Sequence, residues 1–202
     1  MKKIENEFRN MERVFKDREE FEYEDYRVNG LSKGDYENCV FTDCNFSESD
    51  LSDINFIDCE FISCNLSLAK LYRSSLRDIK FRSSKLMGVH FSDCNDLIFS
   101  VSFEGCLLDL ASFYRMKLRG TRFKDSKLAE ADFTEADISN SAFINCDLGG
   151  AVFFNTNMEQ ADFRTASNYI IDPEVNRIKG ARFSISGISG LLSKYDIEID
   201  NS

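Results

Sequence analysis

Phe41-Thr42-Asp43-Cys44-Asn45, Phe46-Ser47-Glu48-Ser49-Asp50, Leu51-Ser52-Asp53-Ile54-Asn55, Phe56-Ile57-Asp58-Cys59-Glu60 and Phe61-Ile62-Ser63-Cys64-Asn65 follow one another without a gap. Every fifth residue is Phe or Leu, and the beat continues through Leu66, Leu71, Leu76, Phe81, Leu86 and Phe91. After one interruption it resumes at Ile98 and runs through Phe103, Leu108, Phe113 and onward to Phe163. A fixed internal period decides architecture ahead of local propensity. Five matches neither the 3.6 of a helix nor the 2.0 of a flat strand, so each unit is a short extended piece followed by a corner. Two residues before each large centre stands a small one, such as Cys39, Cys44, Ser49, Cys59, Cys64 and Ala69, and later Cys106, Ala111, Ala131, Cys146 and Ala161. A spacing of two places both on one side of an extended chain. The other three positions carry Asp, Asn, Ser, Lys, Arg and Glu and belong outside.

This pattern of small, polar, Leu or Phe, polar, polar resembles the pentapeptide-repeat proteins, with Ala131-Asp132-Phe133-Thr134-Glu135 and Ala161-Asp162-Phe163-Arg164-Thr165 as clear units, and it extends over about 160 of the 202 residues. The resemblance implies an all-β fold: a right-handed quadrilateral β-helix of about eight coils, 20 residues each, roughly 4.8 Å apart. Phe41, Phe61 and Phe81 then stack on one face, as do Phe103, Phe123, Phe143 and Phe163.

The regular coils are expected over residues 19–186. Upstream, Ile4, Phe8, Met11 and Phe15 recur at helical spacing, which predicts an amphipathic helix over residues 1–18 covering the open end of the solenoid. Downstream, Phe183 lies 20 residues after Phe163, while Ile188, Leu191, Leu192 and Tyr195 predict a helix of two turns followed by a short strand through Ile197 and Ile199. Residues 187–202 are therefore expected to cap the last coil, to join two copies, or both. Between Phe91 and Ile98 two extra residues break the phase. The segment 92–97, with Asp93, Cys94, Asn95 and Asp96, is expected to be either a bulged corner or a contact loop.

Composition narrows function. No run approaches the 18 apolar residues of a membrane span, and no leader pattern opens the chain, so a cytoplasmic protein without membrane contact is expected. Six of the seven cysteines keep the five-residue beat at the inward position, which predicts free core thiols. Cys39 and Cys59, or Cys44 and Cys64, stack one coil apart, within disulfide range. The single His90 and the absence of any metal-ligand spacing, phosphate loop or nucleophile elbow predict no metal, no cofactor and no catalysis.

Charge is segmented. Residues 1–60 hold 17 acidic and 8 basic side chains; residues 61–90 hold 1 and 6; residues 91–128 hold 5 and 6; residues 129–202 hold 12 and 5. Both ends are thus acidic and the waist, around residues 70–85 and 115–127, is basic. A chain of net charge −10 is not a general nucleic-acid binder, although a basic waist suits an acidic partner.

A narrower resemblance rests on Ile171-Asp172-Pro173-Glu174, Ile178-Lys179-Gly180-Ala181-Arg182-Phe183 and Gly190-Leu191-Leu192-Ser193-Lys194-Tyr195-Asp196-Ile197, which look like the end of the Qnr and MfpA subgroup. That resemblance implies an end-to-end homodimer through Ile188, Leu191, Leu192, Tyr195 and Ile197. It further implies that the dimer mimics duplex DNA, engages DNA gyrase or topoisomerase IV and protects it from fluoroquinolones. Asp132, Asp137, Asp147 and Asp162 are then the gyrase-facing acids. The alternative is an interaction scaffold that uses the basic waist.

Overall fold

A computed structural model describes residues 13–198. The strands are β1 (Val14–Asp17), β2 (Glu20–Glu22), β3 (Gly34–Glu37), β4 (Val40–Thr42), β5 (Asn55–Ile57), β6 (Glu60–Ile62), β7 (Ser75–Arg77), β8 (Ile79–Arg82), β9 (Val101–Glu104), β10 (Arg122–Lys124) and β11 (Ala142–Ile144). They form two parallel sheets, in the orders β1-β3-β5-β7 and β11-β10-β9-β8-β6-β4-β2. Two further series of parallel bridges complete the cross-section, one through Asn45, Asn65, Lys85, Leu107, Lys127 and Asp147, the other through His90, Ser112, Asp132 and Val152. The result is a four-sided parallel β-solenoid of about seven turns, against about eight expected from the sequence.

Each side has its own row of inward centres. Side one carries Phe41, Phe61, Phe81, Phe103, Phe123, Phe143 and Phe163; side two Phe46, Leu66, Leu86, Leu108, Leu128 and Leu148; side three Leu51, Leu71, Phe91, Phe113, Phe133 and Phe153; side four Tyr36, Phe56, Leu76, Leu118, Ile138 and Met158, nearly all with almost no exposure. The expected stacks are present: Phe41 lies over Phe61 at 4.8 Å between ring centroids, Phe61 over Phe81 at 5.2 Å, and Phe123 over Phe143 at 4.8 Å. Neighbouring sides meet edge to face, as Phe113 meets Phe123 at 5.8 Å. Offset stacks along the axis and edge contacts across it are the two arrangements that aromatic quadrupoles favour.

Corners impose a second five-residue rhythm. Asn38, Asp43, Glu48, Asp53, Asp58 and Ser63 all hold φ between 51° and 59°. The left-handed region is sterically poor for L-residues and easiest for Gly, Asn and Asp, so glycine at positions such as Gly88, Gly105 and Gly120 fits the same corner.

The small inward residue does more than leave room for its neighbour. Ser74 Oγ donates to the Leu51 carbonyl at 2.6 Å, Ser141 Oγ to Leu118 at 2.7 Å and Thr156 Oγ1 to Phe133 at 2.8 Å, each 23 residues back. The Cys59 and Cys64 thiols make the same contact with Tyr36 and Phe41, at 3.2 and 3.3 Å. Ser, Thr and Cys therefore interchange here because each is a compact donor to the coil before it.

All seven cysteines are buried and free. Burial pushes the Cys59 and Cys64 thiols up to about 12 and Cys106 and Cys146 up to about 11, from an ordinary 9.0. In the unfolded chain these groups lose their protons near 9.0, while the folded chain holds them. Their contribution to stability is thus complete below pH 9 and is lost as pH rises from 9 towards 12. The folded protein should leave a thiol-specific disulfide reagent almost unconsumed at pH 8 and release seven equivalents in denaturant; rapid native labelling would mean that the coils open.

Two expectations about the ends are corrected. The predicted N-terminal helix lies, for residues 1–12, outside the described residues. From Val14 the chain is a strand, paired in register with β3 from Val14↔Gly34 to Asp17↔Glu37. Coiling therefore begins before residue 19, and Phe15, the last member of the predicted apolar stripe, is 64% exposed on the outside of β1. At the other end the helix is one turn, α1 (Ser189–Leu192), between the 3-10 turns Ile185–Gly187 and Ser193–Tyr195. Residues 196–198 form no strand, and Ile199 lies outside the described residues.

The phase break is also resolved differently in detail. Cys94 occupies the inward small position, 20 residues after Ser74. Asn95 then accepts from the Leu97 amide and closes a 3-10 turn, Asp96–Ile98. Ile98, expected to resume the core beat, is 60% exposed. Phe99 returns to the interior instead, edge-on to Phe91 at 6.0 Å between centroids. Phe81 and Phe103 still stack, at 5.3 Å, so the enlarged coil keeps the register.

Candidate functional site

The coil rule fixes which surface residues are neighbours: positions 20 apart share a side, and positions five apart lie around the corner. Asp132 bridges Ser112 and Val152 on side three, Asp137 bridges Lys117 and Asn157 on side four, Asp147 bridges Lys127 and Ser167 on side two, and Asp162 bridges Ala142 and Arg182 on side one. The four expected gyrase-facing acids thus occupy four different sides. Asp132 and Asp137 meet across one edge within a single coil, whereas Asp147 and Asp162 lie across other edges and one coil further on. Their remainders on division by 20 are all different, a signal already present in the numbering.

Local work also engages these carboxylates. Each accepts the amide two residues on: Thr134, Ser139, Gly149 and Arg164. Burial raises the affinity of Asp137 for its proton, but the Ser139 and Arg119 contacts outweigh it and hold the carboxyl below the ordinary range. Arg164 and Arg182 both pair with Asp162, at 2.8 and 3.1 Å, and the Arg164 hydrogen bond is the main cause of its lowered pKa.

The C-terminal residues divide by contact. Leu191 packs on the core cluster, whose last large buried aromatic is Tyr169. α1 and the turn before it are seated so closely that a Cβ at Gly190 would collide with the Tyr169 carbonyl oxygen, and one at Gly187 with the Tyr169 hydroxyl. Lys194 bonds Asp172 at 2.8 Å and Glu174 at 2.6 Å, and the Tyr195 hydroxyl donates to Glu174 at 2.8 Å. Those two carboxylates keep the Lys194 proton affinity high against partial desolvation. Facing outward are Ile185 at 91% exposure, Ile188 at 45%, Tyr195 at 49% and Ile197 at 56%. The module is therefore a cap on one side and an open apolar surface on the other, with Leu192 intermediate. Ile185 was missed by the helical periodicity because it belongs to a separate 3-10 turn.

At the break, Asp93, Asn95 and Asp96 are on the surface, but Cys94 is buried and offers no contact. The exposed tip is Leu97, from the expected break, and Ile98, which the five-residue count had assigned to the interior.

Among the described residues no group of three His, Cys, Asp or Glu is disposed to hold a metal ion. No described helix is long and apolar enough to cross a membrane.

The pentapeptide repeat region family matches residues 35–96 and 97–169, which is the stretch whose coils are described above. The chain is a pentapeptide-repeat protein. Two solved pentapeptide-repeat rods are similar to it. Full-length QnrB1, a plasmid-mediated fluoroquinolone resistance protein, aligns over 91% of this chain and 100% of its own at 18% identity, with a TM-score of 0.50. HetL, involved in heterocyst differentiation regulation in the cyanobacterium Nostoc sp. strain PCC 7120, aligns over 92% of this chain and 94% of its own at 16% identity, with a TM-score of 0.55. At these identities the likeness is one of fold. A search of curated proteins finds no match.

Proposed function

We propose that this pentapeptide-repeat protein is a non-catalytic, end-to-end homodimer that binds a type II topoisomerase, DNA gyrase or topoisomerase IV, in place of duplex DNA, and so shields it from fluoroquinolones or a natural gyrase toxin. The observation that carries the proposal is the outward apolar surface of the C-terminal module, Ile185, Ile188, Tyr195 and Ile197, adjoining the acidic segment 129–202. Joining two copies there sets two acidic segments back to back and leaves both basic waists away from the centre. QnrB1, a rod of this fold, is a fluoroquinolone resistance protein, which supports the choice of enzyme. Of the four acids named from the sequence, the shared edge gives Asp132 and Asp137 the role of a common contact, joined by Glu135 between them. Such a surface would attract the basic DNA-binding groove of the enzyme and steer association.

The test is a gyrase supercoiling assay with the purified protein, with and without ciprofloxacin. The expected result is restored supercoiling under drug, or inhibition without it. No effect in either condition from a folded dimer would remove the topoisomerase from the proposal.

A further inference from the structure

The two basic belts are in register with each other. Arg73 and Arg115, Arg77 and Arg119, Lys80 and Arg122, Arg82 and Lys124, and Lys85 and Lys127 are each separated by one ordinary coil and the enlarged one. Every pair therefore stands on one side of the rod, two ladder steps or roughly 9.6 Å apart.

Ion pairs engage part of each belt. On sides three and four, Arg73 pairs with Asp53 at 2.7 Å, Arg115 with Glu135 at 2.7 Å and Arg119 with Asp137 at 2.9 Å. On side one, Arg82 pairs with Glu60 at 2.7 Å, and Lys124 with Glu104. Among the described belt residues, Lys70 on side three, Arg77 on side four, and Lys80, Lys85, Arg122 and Lys127 pair with no carboxylate, and the last four are exposed around sides one and two. Lys80 and Arg122 flank Ser102 in one row of side one. Lys85 and Lys127 flank Leu107 in a row of side two, beyond the corner that carries Glu104 and Asp125. Lys80 and Arg122, with Arg82, Lys124, Ser102, Phe103 and the one carboxylate of Glu104, line a cavity of about 180 Å³ on side one, so four cations face one acid there, while Lys85 and Lys127 extend the positive surface around the corner.

We infer that this cavity on side one binds a compact anion carrying several phosphate groups. Its extent is limited, because the segments on either side are acidic and repel a long polyanion such as a duplex. A peptide strand is disfavoured as well: on this side the backbone amides are already spent in the coil-to-coil ladder, so no open edge is offered to it. Lysine and arginine side chains with a hydroxyl between them match phosphate oxygens, which need only charge and donors. The inference is independent of the topoisomerase reading and uses none of its residues.

The experiment is calorimetric titration of the full chain with sodium tripolyphosphate, with inorganic phosphate, poly-glutamate and a short DNA duplex as the other arms. Tripolyphosphate should bind at least about tenfold more tightly than inorganic phosphate, weakening as salt is raised. Lys80→Glu with Arg122→Glu should cost at least about another tenfold, as reversing two contact charges does. Lys70→Glu, on side three, should change little; unchanged thermal melting of the exposed-row variants shows that they fold. Equal binding by the double variant, no binding of tripolyphosphate at millimolar concentration, or tighter binding of poly-glutamate or the duplex would each overturn the inference.

Discussion

Replacing Phe123 with Ala should cost about 3–5 kcal/mol, the usual penalty for emptying a buried aromatic site. The side chain has no exposure, stacks on Phe103 at 5.2 Å and on Phe143 at 4.8 Å, and meets Phe113 and Phe133 edge-on. A domain of this size has about 5–15 kcal/mol in all, so roughly a fifth or more of the stability is at stake in one ring. Because each coil touches only its neighbours, the defect also weakens the coupling between the two halves of the rod. Urea unfolding should therefore show a lower midpoint and a shallower, less cooperative transition. Phe154→Ala is the control: that ring is half-exposed on side three, and its loss should stay within about 0.5 kcal/mol. Equal effects at 123 and 154 would contradict a core made of stacked centres.

The second large effect is expected at the C-terminal surface. Ile185→Lys together with Ile188→Lys should convert the protein from a species of twice the chain mass to one of 23.2 kDa. In a two-fold contact each substitution appears twice, and burying like charges against each other weakens association by at least about 3 kcal/mol, more than a hundredfold. Folding should survive, because both side chains point away from the core. Leu191→Lys is a different experiment: it unseats the module from the last coil and mixes instability with dissociation. Sedimentation of the double variant as a dimer would place the contact elsewhere, and loss of gyrase protection in the monomer would tie the activity to the pairing.

The core of this rod was legible because one sequence position maps to one inward slot: Phe or Leu every fifth residue, small two before it. The surface was harder for the same reason. Asp132, Asp137, Asp147 and Asp162 look like a single regular series along the chain, yet a period of five advances one side per step, so regular spacing disperses them around the axis. Recovering the neighbours needs the 20-residue period, and across the break the 22-residue offset, which also brings the basic pairs into line. The ends escaped a repeat-based reading for another reason. Around Phe15 the apolar spacing fits a helix and the pairing with β3 makes a strand, so tertiary hydrogen bonding overrides the local pattern. At the break, counting by fives selected Ile98, whereas Asn95 capping a tight turn postpones the return of the chain until Phe99.

That detour has a practical meaning. Since Phe81 and Phe103 stack as closely as rings in uninterrupted coils, the chain can leave at Asn95 and rejoin by Phe99 without disturbing the layers on either side. The Leu97–Ile98 tip is thus a ready insertion point, where a foreign peptide could be spliced and displayed at a fixed height on a stiff support.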